Sequence, residues 1–161
     1  MAKVLIKKLS SDVELPSYKT SGASGMDLMA HIKSPIIIKP KTSELIPTGL
    51  SVAFSEEYEI QIRPRSGLAA KNNISVLNTP GTIDSDYRGE LKIIIYNHGN
   101  EDFTVNNSDR IAQMILTPVV KMKLQETDEL PETLRGEGGF GSTGKWKNHL
   151  TKVKLRDFQD K

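Results

Sequence analysis

The chain has 161 residues, enough for one domain with a buried core, and its 37% hydrophobic and 26% charged residues are ordinary for a globular protein. A net charge of +2 is too small to indicate nucleic-acid binding by itself, so we expect no nucleic-acid partner. Cysteine is absent, which excludes disulfides, thiolate chemistry and cysteine-based zinc sites. The apolar runs are too short for a membrane span and no secretory leader follows Met1, so we expect a cytoplasmic protein without membrane contact.

Short apolar runs separated by proline and glycine predict strands in the first part of the chain. We place them at residues 4–8, 36–38, 51–54 and 58–63. The last run alternates apolar and polar residues, the period of a half-buried strand. A loop rich in serine, glycine and threonine leads to Asp27, which lies between two apolar residues. Local sequence alone favours the interpretation of Asp27 as a turn or strand-edge residue.

A short helix is predicted after the strand at 58–63, which Pro64 is expected to end. Residues 68–71 are good helix formers, and Ser66 stands in the position of an N-cap. Because a helix N-terminus attracts anions, Arg65 and Ser66 predict an anion-binding site. A capped helix with a solvated arginine explains the same residues without any ligand.

Residues 78–90 form the most polar and turn-rich stretch of the chain, with three carboxylates, two glycines and a proline. The β-prone runs at 74–77 and 91–96 flank it, so we predict a hairpin with this stretch at its tip. Asp84 directly follows an apolar residue, and a carboxylate fixed in this way can orient a water and take its proton. Polar turn residues without a catalytic role are the alternative interpretation.

The C-terminal part continues with predicted strands at 103–105 and 109–116 and a polar linker at 128–134. The segment 135–144 follows, in which five of ten residues are glycine. Glycine lets backbone N–H groups approach a ligand closely, and Phe140 between two glycines is a candidate stacking residue. A flexible tail is the alternative. Residues 145–161 carry six Lys or Arg against two Asp and are interpreted as a solvated basic tail.

Five blocks of this chain, taken together and in order, resemble the signature motifs of the deoxyuridine triphosphatase (dUTPase) family, the homotrimeric all-β kind. They are residues 24–28, 64–71, 81–90, 109–114 and 135–144. Many short strands already predict an all-β sandwich or barrel. The resemblance implies a jelly-roll-like β-barrel with one short helix, a barrel domain at 1–134, a glycine-rich arm at 135–144 and a basic tail at 145–161.

The resemblance also implies a homotrimer whose active sites are shared between subunits. The reaction would be hydrolysis of the nucleotide dUTP to dUMP and pyrophosphate with Mg²⁺, which keeps uracil out of DNA and supplies dUMP for dTTP synthesis. Asp84 matches the carboxylate that deprotonates the attacking water, and Tyr87 matches the ring that packs on the deoxyribose. Groups matching the uracil contacts are Asn78, Thr82, Ile83 and the main chain of Lys92.

The remaining motif positions match groups that hold the triphosphate. Asp27 matches the acid that holds Mg²⁺ through water, which suits an ion that keeps several waters beside phosphates. The phosphate contacts match Arg65, Ser66, Gly67 and Gln113. Arg110 matches either a phosphate contact or the partner of a site carboxylate, and both alternatives stay open. In the arm, Arg135 matches a γ-phosphate contact and Phe140 a ring over uracil, with Gly141 and Ser142 beside it.

Two departures from the family pattern concern backbone more than chemistry. Ser24 replaces the usual alanine, and Ser108 replaces a glycine that commonly precedes the Asp-Arg pair, which is unfavourable if that turn requires a positive φ. The three histidines, His31, His98 and His149, fall in no matching motif position and are expected to take no part in the site.

Two other functions remain as alternatives. One is a deoxycytidine triphosphate deaminase of the same fold, whose glutamate base and Arg-Ser-Ser pattern differ from Asp84 and from Arg65-Ser66-Gly67 here. The other is a nucleotide-sensing protein without catalytic activity, which the presence of both Asp84 and Asp27 argues against.

Overall fold

The computed structural model describes residues 1–143. The predicted basic tail, His149 and the last residue of the arm therefore lie outside the described residues. The chain divides into two units, Met1–Lys121 and Met122–Lys161, and the first contains every strand and helix of the described part. The predicted boundaries at residues 134 and 144 remain predictions.

Short strands make up most of the regular structure, as the frequent proline and glycine predict. Eleven strands and one helix lie within residues 1–143: β1 (Leu5–Lys8), β2 (Met26–Met29), β3 (Ile36–Ile38), β4 (Ser43–Pro47), β5 (Leu50–Ala53), β6 (Tyr58–Arg63), α1 (Ser66–Asn72), β7 (Ile74–Val76), β8 (Gly81–Ile83), β9 (Lys92–Asn97), β10 (Phe103–Val105) and β11 (Arg110–Pro118). The prediction of a mostly β fold with one short helix is confirmed. Helix α1 has seven residues, and no helix of residues 1–143 is long and apolar enough to cross a membrane.

The strands pair in four antiparallel sheets. The largest has the order β2-β11-β6-β8, and the others are β4-β9-β7, β1-β5 and β10-β3. Strand β11 is the longest and pairs with β2 on one side and β6 on the other. Its register with β2 shifts between Arg110 and Ala112. This sheet carries most of the predicted site.

One apolar core underlies the sheets of the first unit. Alternate residues of β9 are buried, including Ile93 and Ile95, and they join Leu28 of β2 and Ile111 of β11 in a single cluster. Each such side chain contributes about 1.5–3 kcal/mol on burial. The functional loops are therefore attached to strands that the core holds in place.

The two flanking strands of the predicted hairpin are confirmed, but the prediction omits a strand within the segment that joins them. Strands β7 and β9 pair with Ile74 opposite Asn97, but residues 81–83 form the additional strand β8, which pairs with β6. The prediction of Ser66 as the N-cap is wrong: Arg65 takes the cap position with extended backbone and no side-chain cap bond, so Ser66 is the first helical residue. Helix boundaries shift by one residue easily, because the cap is half in the helix.

Candidate active site

Neighbouring strands bring the first group of predicted residues together. Asp27 of β2 lies directly opposite Gln113 of β11. The Nε of Arg65 donates a hydrogen bond of 3.1 Å to Oδ1 of Asp27, and Nη1 of Arg110 lies 4.0 Å from Oδ2. The carboxylate is therefore flanked by two guanidinium groups, one bonded and one at the limit of an ion pair.

Hydrogen bonds to main-chain carbonyls also hold the side chains of Arg65 and Gln113. Nη1 of Arg65 donates to the carbonyl oxygen of Arg110 at 3.2 Å, and Nε2 of Gln113 donates to the carbonyl oxygen of Pro64 at 3.0 Å. Strand β11 thus holds the segment that enters α1. The first two helical residues, Ser66 and Gly67, are exposed. No atom lies within 4 Å of a Cβ added at Gly67, so this helix start is open to a ligand.

Close packing at Gly25 explains the glycine before β2. A Cβ at this position would lie 2.9 Å from Cγ1 of Ile115 and 3.0 Å from both Oε1 of Gln113 and the carbonyl oxygen of Met114. A side chain would therefore push β2 away from β11. Gly25 is therefore a packing position between β2 and β11, which its place in a motif block does not reveal.

The second group of predicted residues lies around β8. Asp84 is the first residue after this strand and is exposed. Its carboxylate makes no hydrogen bond to any part of residues 1–143. Asn78 lies beside the start of the strand, since a Cβ added at Gly81 would be 3.2 Å from its Nδ2. Thr82 and Ile83 belong to β8 itself, and Lys92 begins β9 with an exposed side chain.

A tight turn joins Asp84 to Tyr87. The N–H of Tyr87 donates to the carbonyl oxygen of Asp84 at 3.1 Å. The guanidinium of Arg88 closes the turn by donating to the carbonyl oxygens of Ser85 at 2.7 Å and of Tyr87 at 3.3 Å. The candidate base and the candidate sugar-contacting ring therefore belong to one rigid element.

The two groups lie far apart within one chain. Strands β2 and β8 are the opposite edges of the four-stranded sheet. Asp27 is level with Gln113, whereas Ile83, which precedes Asp84, is level with Ile60 nearer the other end of β6. Three inter-strand spacings and about four residues along the strand separate the two acids, which amounts to about 20 Å.

The arm residues belong to the second unit. Nε of Arg135 donates to the carbonyl oxygen of Gly138 at 2.7 Å, and the N–H of Gly138 donates back to the carbonyl oxygen of Arg135 at 3.1 Å. Phe140 is fully exposed at a positive φ of 50°. Gly141 (φ 84°) and Ser142 follow in the same turn-rich segment.

Comparison with known proteins shows what this arrangement belongs to. A family model described as dUTPase matches residues 11–144. A protein of Fusobacterium nucleatum subsp. nucleatum named deoxyuridine 5'-triphosphate nucleotidohydrolase is 53% identical over 146 residues, which cover 90% of this chain and 100% of the relative. The chain belongs to the dUTPase family.

Solved dUTPase structures share the fold. A Staphylococcus bacteriophage 80alpha dUTPase with dUPNHPP matches with a TM-score of 0.78 and 24% identity, covering 88% of this chain and 98% of the other. A mutant dUTPase from phage phi11 of S. aureus, described with a structural Mg(II) ion, matches with a TM-score of 0.72 and 20% identity, covering 81% and 99%. These likenesses support the predicted dUTPase fold class.

Two of the three histidines have other partners in this dUTPase fold. Nε2 of His31 lies 3.1 Å from Oδ1 of Asp12, and Nε2 of His98 lies 2.6 Å from Oγ of Ser75. Neither contact involves a motif residue. Ser108 has a φ of 68°, so the turn does require the positive φ for which the family commonly has glycine.

The donor set of this dUTPase allows a metal with few protein ligands. Among residues 1–143, no three His, Asp or Glu side chains come close enough to hold a metal ion together. Asp27 presents a partly exposed carboxylate beside Arg110, next to a hollow of about 30 Å³. Such a hollow has room for a water. A single carboxylate with water fits Mg²⁺, which usually takes one or two carboxylates beside substrate phosphates.

Proposed function

We propose that this chain hydrolyses dUTP to dUMP and pyrophosphate, with Asp84 as the general base. The observation that carries the role of Asp84 is its exposed carboxylate, unbonded within residues 1–143, at the end of a core-held strand. A carboxylate in that position is free to accept a proton while its backbone stays fixed. The 53% identity to a named dUTP nucleotidohydrolase over nearly the whole chain supports the substrate.

In the proposed reaction, the Asp84 carboxylate accepts a proton from a water whose oxygen attacks the α-phosphorus. A new bond forms between that oxygen and phosphorus, and the bond from the α-phosphorus to the bridging oxygen breaks. Pyrophosphate leaves with the electron pair of the broken bond, and dUMP keeps the new oxygen. Phosphoryl transfer needs mainly positioning, charge neutralisation and an oriented nucleophile.

The group around Asp27 supplies the charge neutralisation. Arg65 and Arg110 offer planar guanidinium groups that suit phosphate oxygens, and Gln113 holds the chain that carries Arg65. The exposed N–H groups at Ser66 and Gly67 add donors for the same phosphates. Asp27 would hold Mg²⁺ through its water shell, and that ion supplies positive charge to the triphosphate when bound. Arg110 thus serves as both a pairing group and a phosphate contact.

The separation of about 20 Å between Asp27 and Asp84 supports a homotrimer with shared sites. The α-phosphate of one nucleotide cannot meet both acids of the same chain at that distance. Each complete site would combine Asp27 and Arg65 of one subunit with Asp84 and Tyr87 of another. The arm, with Arg135, Phe140, Gly141 and Ser142, is proposed to complete the site by closing over the nucleotide, which excludes water.

The β8 loop supplies the nucleoside selectivity. Asn78, Thr82 and Ile83, with the main chain of Lys92, would read the uracil edge. Tyr87 would pack against the deoxyribose and leave no room for a 2′-hydroxyl. A cytoplasmic location and the absence of nucleic-acid and membrane partners remain predictions from the sequence.

The test is pyrophosphate release from dUTP, dCTP, dTTP and UTP in parallel with Mg²⁺ present. Release from dUTP alone is expected. The variant Asp84→Asn should abolish turnover while keeping dUTP binding, and Asp86→Asn is the matched control because Asp86 is an exposed carboxylate of the same turn. Full turnover by Asp84→Asn would overturn the assignment of the base. Ammonia from dCTP would indicate the deaminase, and binding of dUTP without product would indicate the sensor.

A further inference from the structure

The ring of Tyr87 folds back onto the main chain at Gly89. A Cβ added at Gly89 would lie 2.3 Å from Oη, 2.6 Å from Cζ and 3.0 Å from Cε2 of Tyr87. These distances are far below a van der Waals contact, so any side chain at this position would displace the ring. The glycine is needed for space, because its φ is not in the left-handed region.

The hydroxyl of Tyr87 is anchored as well. Its Oη donates a hydrogen bond of 3.0 Å to the carbonyl oxygen of Glu90. That carbonyl belongs to a fixed piece of backbone, because Oε2 of Glu90 accepts a hydrogen bond from the N–H of Gly49 at 3.2 Å and the next residue, Leu91, donates to the carbonyl oxygen of Leu50 at 2.8 Å. The acceptor therefore cannot follow the ring if the ring moves.

Little else in the described part of the chain holds this ring. Tyr87 is 44% exposed and belongs to no buried cluster. Its backbone N–H donates to the carbonyl oxygen of Asp84 and its hydroxyl to that of Glu90, so the backbone that carries the ring and the far end of the ring are both held. An exposed aromatic side chain without such contacts would change rotamer within nanoseconds.

We propose that Gly89 and the carbonyl of Glu90 are positioning groups that set the discrimination between deoxyribose and ribose nucleotides. Steric exclusion of a 2′-hydroxyl works only against a wall that cannot retreat, since one added oxygen needs a small displacement. The hydrogen bond of its hydroxyl and the close approach of the ring to Gly89 make the Tyr87 ring such a wall. This inference rests on the proposed function, in which Tyr87 packs against the sugar.

The experiment compares kcat/KM for dUTP and for UTP in the full-length protein and in two variants. Tyr87→Phe keeps the ring and removes its anchor, so the dUTP-to-UTP ratio is expected to fall about three- to tenfold, the effect of one hydrogen bond. Gly89→Ala displaces the ring and is expected to lower the ratio by about tenfold or more. The gain should lie in UTP turnover, which a general loss of stability does not produce.

Matched controls separate these effects from generic ones. Tyr58→Phe removes a hydroxyl at the start of β6, and Gly22→Ala adds a Cβ where no atom lies within 4 Å. Both should keep the ratio of the parent protein. Thermal unfolding of each variant checks folding, and if Gly89→Ala is unstable, Tyr87→Phe still tests whether holding the ring in place sets the ratio.

The outcomes are distinguishable from those of the proposed function. No pyrophosphate from dUTP in the parent protein would overturn the proposed function itself. Equal use of dUTP and UTP by the parent would overturn the role of Tyr87. A parent that prefers dUTP, with both variants keeping its ratio within about twofold, would overturn only the positioning role of Gly89 and Glu90.

Discussion

The guanidinium Nε of Arg65 lies 3.1 Å from Oδ1 of Asp27, with both side chains partly buried at 31% and 23% exposure. The cation proposed to bind phosphate and the anion proposed to bind Mg²⁺ therefore neutralise each other within one chain. Binding of a magnesium nucleotide exchanges this pair for two others, Arg65 with phosphate and Asp27 with the hydrated ion. Removal of the Asp27 carboxylate is therefore expected to have opposite effects on nucleotide binding with and without metal.

The variant Asp27→Asn separates the two halves of this exchange. Without metal, a non-hydrolysable dUTP analogue should bind at least as tightly as to the parent, because Arg65 no longer faces a competing carboxylate. With metal, the Mg²⁺ concentration for half-maximal turnover should rise about tenfold or more. Isothermal titration and a magnesium titration of the rate measure the two effects. Asp102→Asn, at an exposed acid away from Asp27 and Arg65, is the control. If Asp27→Asn weakened analogue binding without metal as well as the response to Mg²⁺, the exchange of ion pairs would be contradicted.

Arg65→Lys tests the geometry of the guanidinium. Arg65 uses Nε for Asp27 and Nη1 for the carbonyl of Arg110, and a single ammonium cannot reproduce this fork. We expect KM for dUTP to rise about tenfold or more. Arg63→Lys is the control, because Arg63 bonds only to Gln61 in the described part of the chain. An unchanged KM would show that charge alone suffices.

Gly25→Ala should destabilise the fold. The added Cβ meets Ile115 and Gln113 at 2.9–3.0 Å, and overpacking of this kind costs about 1–3 kcal/mol. Urea unfolding measures the loss, and Gly22→Ala, which meets no atom within 4 Å, should leave the unfolding free energy unchanged. Equal stability of the two variants would mean that β2 moves away from β11 freely.

Mixing of two defective variants, at an Mg²⁺ concentration too low to support turnover by Asp27→Asn, tests the shared site. Chains with Asp27→Asn and chains with Asp84→Asn are co-expressed with different tags, and trimers carrying both are isolated. If each site takes the two acids from different subunits, each mixed trimer has one complete site, which is about a third of its sites. Sites built within one chain would recover no activity. Light scattering on the same samples gives the oligomeric state.

The pKa of Asp12 offers a test away from the site. The hydroxyl of Ser10 first, and the ring of His31 second, lower the pKa of the Asp12 carboxyl below its ordinary value. A lowered pKa in the folded state gives stability that is present above about pH 4 and is lost as the pH falls further. Ser10→Ala should raise the pKa of Asp12 in an NMR titration, whereas Ser11→Ala should not. An unshifted carboxyl in the parent would contradict the contact.

Much of this fold is predicted from local sequence, because the alternation of apolar and polar residues and the positions of proline and glycine are local properties. The strand at 58–63 agrees with Tyr58–Arg63, and Pro64 does end it. The sequence does not predict strand β4, because Ser43–Pro47 has one buried residue and a proline and so shows no alternation of apolar and polar residues. The sequence predicts only a turn or strand edge at β2, because four residues with one buried position give no clear pattern.

The site residues were named by the motif match, but their grouping was beyond the sequence. Which residue faces Asp27 depends on the register of β2 against β11. The shift of that register between Arg110 and Ala112 cannot be predicted from the sequence. The bond from Arg65 to a carbonyl 45 residues away is likewise a long-range property. The position of the Arg110 guanidinium 4.0 Å from Asp27 is also known only from the structure, and its contact with phosphate stays a prediction.

Several functional side chains of this protein end on main-chain carbonyls of other residues. The pairs are Arg65 with Arg110, Gln113 with Pro64, Tyr87 with Glu90 and Arg88 with Ser85. Substituting an acceptor's side chain leaves its carbonyl in place, so an alanine scan detects the donors and passes over the acceptors. The main-chain acceptors of these hydrogen bonds can therefore be tested by chemical modification of the backbone but not by side-chain substitution. Replacing the peptide link after Glu90 by an ester, for example, weakens that acceptor without altering any side chain, and it also removes the N–H of Leu91 that donates to Leu50.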